Sequence, residues 1–250
     1  MTPGPIPPQT RFLAHDLDTP GSEELAEAVF RALPAPERER VLRLHRPSDR
    51  TRSLVARWLA RRAASDLVGE PWTALRLARH ADGRPRVEAH PELSLSIAHS
   101  GRYTMAAVAV GAVVGIDTEQ VSRVAALPDS TFLTPAERAA LRPATEEHRA
   151  ALWVLKEAAV KLTGEGLRGG LRRIGFEPQG ECLPYVARTP YTPAEFRAVR
   201  LRGGYVAAVG VSSGTPPQRP EFVGGPAPTA DERAQGHHEE PEPHIWRSVN

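Results

Sequence analysis

The order of segments predicts a mixed α+β fold, and an internal echo points to two similar α/β units within one chain. Segments with helical spacing alternate with short apolar runs along residues 11–213. The run Tyr103-Thr-Met-Ala-Ala-Val-Ala-Val110 returns about a hundred residues later as Tyr205-Val-Ala-Ala-Val-Gly-Val211. This echo fits a duplication, and it also fits a chance match between two valine-rich strands. From Gly214 onward the composition turns to Pro, Gly, Glu and His, with too few apolar residues to offset the entropy of ordering. The expected organisation is a flexible N-terminus (1–10), a basic half (11–111), a second half (112–213) and a disordered acidic tail (214–250).

The elements follow in order. Residues 22–33 read as a helix with Ser22 as N-cap and Pro34 just past its end. Residues 35–45 are short, helical and basic. Residues 48–67 set Leu54, Val55, Trp58 and Leu59 at helical spacing, with arginines opposite. Extended segments at 75–77 and 86–88 flank an Asp82-Gly83 turn. Residues 93–97 alternate as a strand and run into a polar turn at 98–101. The runs 105–110 and 113–119 join at Gly111-Ala112, the pattern of a type II′ hairpin. Thr134-Pro135-Ala136-Glu137 is a capping box with proline at the first helical position. Residues 145–163 form a long helix ending in a glycine-rich turn. Strands are expected at 171–176, 183–187 and 196–201, and Gly203-Gly204 turns the chain into 205–211.

Composition narrows the class. With 250 residues, 40% hydrophobic and 25% charged, the chain has a soluble, globular make-up. The net charge of +2 divides into −3 for the tail and +5 for the remainder. One cysteine, Cys182, excludes an intramolecular disulfide and fits a reducing compartment. No apolar run reaches membrane-spanning length, and the proline-rich start has no signal-peptide apolar region. A cytoplasmic protein is expected.

The long helix holds every lysine. Of 32 basic residues, 30 are arginine, and the two lysines, Lys156 and Lys161, lie within a turn and a half. Lysine is a compact point charge suited to a single phosphate oxygen or to proton transfer. Upstream, Gly115-Ile116-Asp117-Thr118-Glu119 ends an apolar strand, and alternation puts Asp117 and Glu119 on one face. Two such carboxylates repel unless a cation sits between them, and oxygen-only ligands suit Mg²⁺. The plain alternative is a strand ending in solvent. Glu157 and Lys161 are i,i+4 neighbours, which alone means a surface ion pair. Beside Asp117 and Glu119, Glu157 becomes a third carboxylate and Lys161 a phosphate contact. Trp153 is expected to pack this helix onto the sheet, and Lys156 faces away, toward packing or a partner.

Arginines at 38, 40, 43, 46, 50, 52, 57, 61 and 62 crowd one helical region, as a solvated face or an anion site. Arg84, after the Asp-Gly turn, and His99, in its polar turn, are further candidates for phosphate contact. Gly164-Glu-Gly166-Leu-Arg-Gly169 matches G-x-G-x-x-G but follows a helix, so it is no dinucleotide fingerprint. Gly210-Val-Ser212-Ser-Gly214 lacks the helix a nucleophile elbow needs.

Gly115-Ile-Asp117-Thr-Glu119, followed by Trp153-x-x-Lys156-Glu157-x-x-x-Lys161-x-x-Gly164-x-Gly166-Leu167, resembles the paired signature of the Sfp-type 4′-phosphopantetheinyl transferases. Gly83-Arg84-Pro85, Ser96-Ile-Ala98-His99-Ser100-Gly101 and Phe132-Leu-Thr-Pro-Ala-Glu137 resemble further motifs of that family, in the same order. The resemblance implies an α+β fold of two similar α/β halves related by a pseudo-twofold. It also implies Mg²⁺-dependent transfer of the phosphopantetheine arm from coenzyme A to a serine of an apo acyl or peptidyl carrier protein. By resemblance, Asp117, Glu119 and Glu157 hold Mg²⁺ (with Mn²⁺ as a substitute), and Glu157 is also the general base. Lys161 sits on the phosphates and aids the leaving 3′,5′-ADP. His99 and Arg84 contact coenzyme A phosphates, with Arg40 and Arg52 at basic positions of the nucleotide site.

The sequence departs from the family at Ser96 and Ala98, where the family has Asn and Ser, and at Glu37, where it often has a basic residue. A pseudo-twofold inside one chain makes a monomer the expectation, with no membrane and no nucleic acid among the partners. Two rival readings are a non-enzymatic nucleic-acid binder using the arginine-rich helices, which leaves the three acids unexplained, and a metal-dependent phosphohydrolase.

Overall fold

The computed structural model describes residues 9–141, 145–166, 170–178, 185–189, 192–212 and 221–223. The first half runs β1 (Gln9–Asp16), α1 (Ser22–Ala32), α2 (Ala35–Leu42), α3 (Pro47–Val68), β2 (Leu77–Arg79), β3 (Pro85–Val87), β4 (Leu93–Ser100) and β5 (Tyr103–Val110). The second runs β6 (Val114–Gln120), α4 (Val121–Ala125), α5 (Asp129–Phe132), α6 (Pro135–Ala140), α7 (Glu146–Thr163), a 3-10 turn at Leu171–Arg173, β7 (Glu177–Pro178), β8 (Tyr185–Thr189), β9 (Thr192–Leu201) and β10 (Tyr205–Val211). A last short strand, β11 (Glu221–Phe222), returns to the first half. One sheet has the order β11-β1-β5-β4 and the other β6-β10-β9-β8-β7, while β2 and β3 make a separate ribbon. The architecture is mixed α/β.

The buried side chains stack in four layers. Leu54, Val55, Trp58 and Leu59 of α3 pack on Leu13, Leu95, Ala106 and Val108 of the first sheet. Leu155, Ala158, Ala159 and Leu162 of α7 pack on Phe196, Ala198, Val206 and Ala208 of the second. The opposite faces, with Phe12, Ala14, Met105 and Ala107 from one sheet and Ile116, Val199, Ala207 and Val209 from the other, share a third cluster. The order is therefore helix, sheet, sheet, helix. Strands β5 and β10 are buried on both faces, which is why they read as unbroken apolar runs. Their first residues, Tyr103 and Tyr205, meet edge to face with ring centroids 5.2 Å apart.

Several elements differ from the sequence expectation. Strand β1 was not foreseen: Phe12, Leu13 and Ala14 are all buried, so it shows no alternation. The N-cap of α1 is Gly21, in the left-handed region at φ 87, and the Ser22 hydroxyl instead donates to Thr19 O at 2.6 Å. Strand β4 runs through 98–100, where a turn is expected, because its ladder with β5 extends to the pair Ser100↔Tyr103, and the turn falls at Gly101-Arg102. No hairpin forms at Gly111-Ala112; β5 lies between β1 and β4, β6 pairs with β10, and this junction carries the chain between sheets. Residues 171–173 wind as a 3-10 turn in place of a strand. Within the tail, Leu13 and Ala14 pair in parallel with Glu221 and Phe222. Residues 1–8, Cys182 and the rest of the tail lie outside the described residues. Among the described residues, no helix is long and apolar enough to cross a membrane.

Two features set α7. The capping box forms as expected, with Glu137 N–H donating to Thr134 Oγ1 at 3.1 Å and Thr134 N–H to Glu137 Oε2 at 2.8 Å. The same carboxylate also accepts from Phe176 N–H at 3.0 Å and from the fully buried Lys156 ammonium at 2.6 Å. Lys156 Nζ donates further to Phe132 O at 2.6 Å and Leu171 O at 3.4 Å. Lys156 is thus a structural cation, in keeping with its expected place away from the chemistry. Trp153 meets Phe132 edge to face at 5.3 Å and packs against the core cluster that α7 shares with the second sheet. The second feature is Gly115. A Cβ there would stand 2.0 Å from Ala158 O and 2.8 Å from Leu162 N, so only glycine lets α7 lie this close to β6.

Gly115→Ala is expected to cost about 1–3 kcal/mol by overpacking, read as a lowered urea midpoint with an unchanged slope. Lys156→Met, which strands the Glu137 charge, is expected to cost about 3–5 kcal/mol. Adding Glu137→Gln to that variant should recover part of the loss in the same measurement.

Candidate active site

The close approach at Gly115 brings Glu157 and Lys161, one turn apart on α7, against the end of β6. Asp117 is buried, and its Oδ1 accepts from Lys161 Nζ at 2.7 Å. Its Oδ2 is buried with no hydrogen-bond partner. Burial pushes the Asp117 pKa up, against the opposing pull of Lys161. Glu119, two residues on, accepts through Oε2 from Ser100 Oγ at 2.7 Å and Gln120 N–H at 3.2 Å, with Arg123 Nη1 at 3.5 Å. Glu157 is half-buried; burial first, and then the Asp117 charge, push its pKa up to about 7, with Glu119 adding and Lys161 opposing. The three acids therefore feel one another's charge.

Lys161 joins the halves. Besides Asp117, its ammonium donates to Ile116 O at 3.0 Å on β6 and to Ile97 O at 3.4 Å on β4. His99 follows on β4 with an exposed side chain; desolvation by the protein around it, then the Arg52 and Lys161 charges, lower its pKa. Arg52 donates to Gly101 O at 3.2 Å and pairs with Asp49. Arg84 bonds Asp82 Oδ2 at 2.8 Å, and its guanidinium lies on Gly164, the C-cap of α7, where a Cβ would come within 2.6 Å of Cζ. Asp117, Glu119, Glu157, Lys161, His99, Arg52 and Arg84 thus gather around one end of β6 and α7. Arg40 stands apart: it is exposed on α2, and its charge is felt at Arg57.

The departure at Glu37 has a structural reason. Its buried carboxylate takes Arg61 Nη2 at 2.5 Å and lies 3.7 Å from Arg57 Nε, and Arg61 Nε reaches Leu75 O at 2.8 Å. A cation at position 37 would leave Arg61 buried and unpaired. The departure at Ser96 also has one, since its hydroxyl accepts the Ile116 N–H at 3.1 Å. Sequence reasoning missed Ser100 and Arg123. The signal available for Ser100 was serine at three of the four alternate positions 94, 96, 98 and 100, which marks one face of a strand.

Asp117, Glu119 and Glu157 offer only oxygen donors to a divalent cation. Among the described residues, no three of them close into a ligating cluster; Asp117 is drawn to Lys161, and Glu119 to Ser100 and Arg123. The donor chemistry nevertheless fits. Asp117 has one oxygen engaged and an orphaned buried one, and Glu119 is anchored through Oε2 alone among the described residues. A hard cation prefers such oxygen donors.

Two family models match the chain. Residues 19–111 match the N-terminal part of the 4′-phosphopantetheinyl transferases, and residues 113–210 match the 4′-phosphopantetheinyl transferase superfamily. The chain belongs to the 4′-phosphopantetheinyl transferase superfamily. Among its relatives is a 4′-phosphopantetheinyl transferase of Bacillus subtilis, 28% identical over 60% of this chain and 69% of the relative. The psf-1 4′-phosphopantetheinyl transferase of Bacillus pumilus is 30% identical over 49% of this chain and 54% of the relative. A human L-aminoadipate-semialdehyde dehydrogenase-phosphopantetheinyl transferase is 26% identical over 60% of this chain and 54% of its own length. The chain thus spans between about half and about two thirds of these relatives. As a phosphopantetheinyl transferase-family chain, it is an enzyme of the transferase class. The superfamily match contains Asp117, Glu119, Glu157 and Lys161, and the N-terminal match contains Arg40, Arg52, Arg84 and His99.

The raised pKa of Glu157 has a sign. The folded chain keeps that proton up to about pH 7, whereas an ordinary Glu releases it near 4.5. The folded state therefore binds more protons across this window, and stability falls as pH rises through it. Melting temperatures of the metal-free chain should decline from pH 4.5 to 7, and Glu157→Gln should flatten that decline. An unchanged slope in the variant would assign the effect elsewhere.

Proposed function

We propose that this chain transfers the 4′-phosphopantetheine arm of coenzyme A to a serine hydroxyl of an apo acyl or peptidyl carrier protein, with release of 3′,5′-ADP. The observation that carries this reading is the meeting, across the two sheets, of three mutually repelling acids from β6 and α7 with cations from the first half. A polyanionic donor with a divalent cation neutralises such a site. Asp117, Glu119 and Glu157 would hold Mg²⁺, which supplies charge neutralisation at the pyrophosphate when bound.

Phosphoryl-type transfer asks the protein for alignment and charge stabilisation more than for covalent chemistry. Glu157, titrating near neutrality in the metal-free chain, takes the proton of the serine hydroxyl as general base. The serine oxygen forms a bond to the pantetheine-side phosphorus, and the bond from that phosphorus to the bridging oxygen breaks toward 3′,5′-ADP. Lys161 has its three N–H donors directed at protein acceptors, so it acts here through its field on the departing phosphate and by holding Asp117. His99 donates a hydrogen bond to a coenzyme A phosphate, and Arg52 and Arg84 bring charge to the same donor; Arg40 serves at the outer edge of the nucleotide. We also read the halves, 11–111 and 112–213, as one α/β unit used twice, with support from the tyrosines that open β5 and β10. The chain acts as a cytoplasmic monomer in this reading.

The arginine-rich region gives less support to a nucleic-acid binder than its sequence does. Arg61 and Arg57 face Glu37, Arg62 pairs with Asp66, and Arg50 reaches Leu44 O, so these charges are engaged within the chain.

Incubation with coenzyme A, Mg²⁺ and an apo carrier protein should make the carrier heavier by one phosphopantetheine in mass spectrometry. Glu157→Gln should lower the rate by about 10²–10⁴-fold, the usual contribution of a positioned base. Unmodified carriers across several types would sink the reading, and 3′,5′-ADP without a modified carrier would favour hydrolysis.

A further inference from the structure

Strands β4 and β6 are the edges at which the two sheets meet, and no backbone ladder joins them. Serine hydroxyls take its place. The residues at 94, 96, 98 and 100 share one face of β4, and three of them are serine. Val114 N–H donates to Ser94 Oγ at 3.0 Å, and Ile116 N–H donates to Ser96 Oγ at 3.1 Å. Ser100 departs from this pattern. Its buried hydroxyl donates to a side chain, Glu119 Oε2, at 2.7 Å.

Three donors converge on that one oxygen: Ser100 Oγ, the Gln120 N–H at 3.2 Å and Arg123 Nη1 at 3.5 Å. The Arg123 side chain is 65% exposed, so its pair with Glu119 is screened and weak. The Ser100 bond is shorter, and its serine is buried. Its geometry is imposed from the first half, by the Ser100↔Tyr103 pair at the end of the β4–β5 ladder. At the adjacent Gly101, a Cβ would stand 2.0 Å from the Tyr205 hydroxyl, so the turn is held against the second half.

We propose that Ser100 is a positioning residue that pins one oxygen of Glu119 and turns the other, Oε1, toward the cation shared with Asp117 and Glu157. This rests on the metal-dependent transferase reading above. A carboxylate left with rotamer freedom would have to be ordered when the ion binds, whereas one already held is presented at no such cost. The plain alternative makes Ser100 only a third stitch of the seam. Ser94, whose hydroxyl serves a backbone amide away from the acids, separates the two.

The test is a calorimetric titration of Mn²⁺ into the full chain without coenzyme A. Ser100→Ala should weaken binding about 10–100-fold, the usual effect of removing a group that orients a metal ligand. Ser100→Thr, which keeps the hydroxyl, should restore affinity to near that of the parent chain. Ser94→Ala should lower the melting temperature yet leave Mn²⁺ affinity unchanged. Parent-like affinity in Ser100→Ala would overturn the positioning role while leaving the transferase reading intact. An equal loss of affinity in Ser94→Ala would also overturn it, in favour of a seam that is structural throughout. If the parent chain binds no Mn²⁺ yet modifies a carrier, the positioning role falls alone; if it does neither, the transferase reading falls with it.

Discussion

The interaction on which the second half depends is the buried pair of Lys156 and Glu137. One carboxylate closes the capping box of α6, accepts the Phe176 amide and balances the Lys156 ammonium. That ammonium in turn holds the carbonyls that end α5 and open the 3-10 turn. Such a pair does not by itself promise net stability, because two charges must be desolvated to make it. What it does is restrict α7 to one rotation about its axis. Gly115 then sets the depth of the helix on β6, and Lys161, about 140° around the helix from Lys156, falls on the opposite task. Each ammonium directs three donors at two carbonyls and one carboxylate. Three diverging donors on a compact head suit that arrangement, and a planar guanidinium does not. This accounts for two lysines in a chain that otherwise uses arginine.

The four-layer stack gives the site its divided origin. Acids come from β6 and α7, while His99, Arg52 and Arg84 come from the first half. The two sheets meet through an apolar cluster and, at their facing edges, through Ser94, Ser96 and Lys161. The second half holds the three acids with Lys161 alone against Asp117, and the remaining cations lie in the first half, so the charge balance of the site depends on the seam. The orphaned oxygen of Asp117 and the raised pKa of Glu157 both sit beside that seam, where repulsion among acids is greatest.

Much of this was legible in the sequence wherever a local rule decided the outcome. The capping box at Thr134–Glu137, the helix ending at Gly164 and strand β10 formed where periodicity and turn chemistry put them. Alternation correctly set Asp117 and Glu119 close together. The failures have one cause, which is that pairing partners are not written locally. Gly111-Ala112 has hairpin chemistry, but β5 is already paired on both sides. Residues 98–101 look like a turn, but a ladder with β5 holds 98–100 extended. Buried on both faces, β1 offers no alternation to read. At the site, the acids could be grouped from spacing, whereas Ser100 gains its partner only through the crossing of two sheets.

The different surroundings of the two lysines also affect how the chain can be handled. Lys156 is fully buried with its donors engaged, whereas the Lys161 side chain keeps 31% of its surface exposed. Apart from the chain terminus, an amine-reactive reagent therefore meets a single accessible primary amine, and that amine lies against Asp117. Neutral pH favours acylation of the terminal amine, whose ordinary pKa is about 8, so tagging the site takes alkaline solution, where the rate at Lys161 would report on whether a ligand covers the pocket. The arginine-rich surface would stay unmarked, so one label beyond the terminal one counts one site.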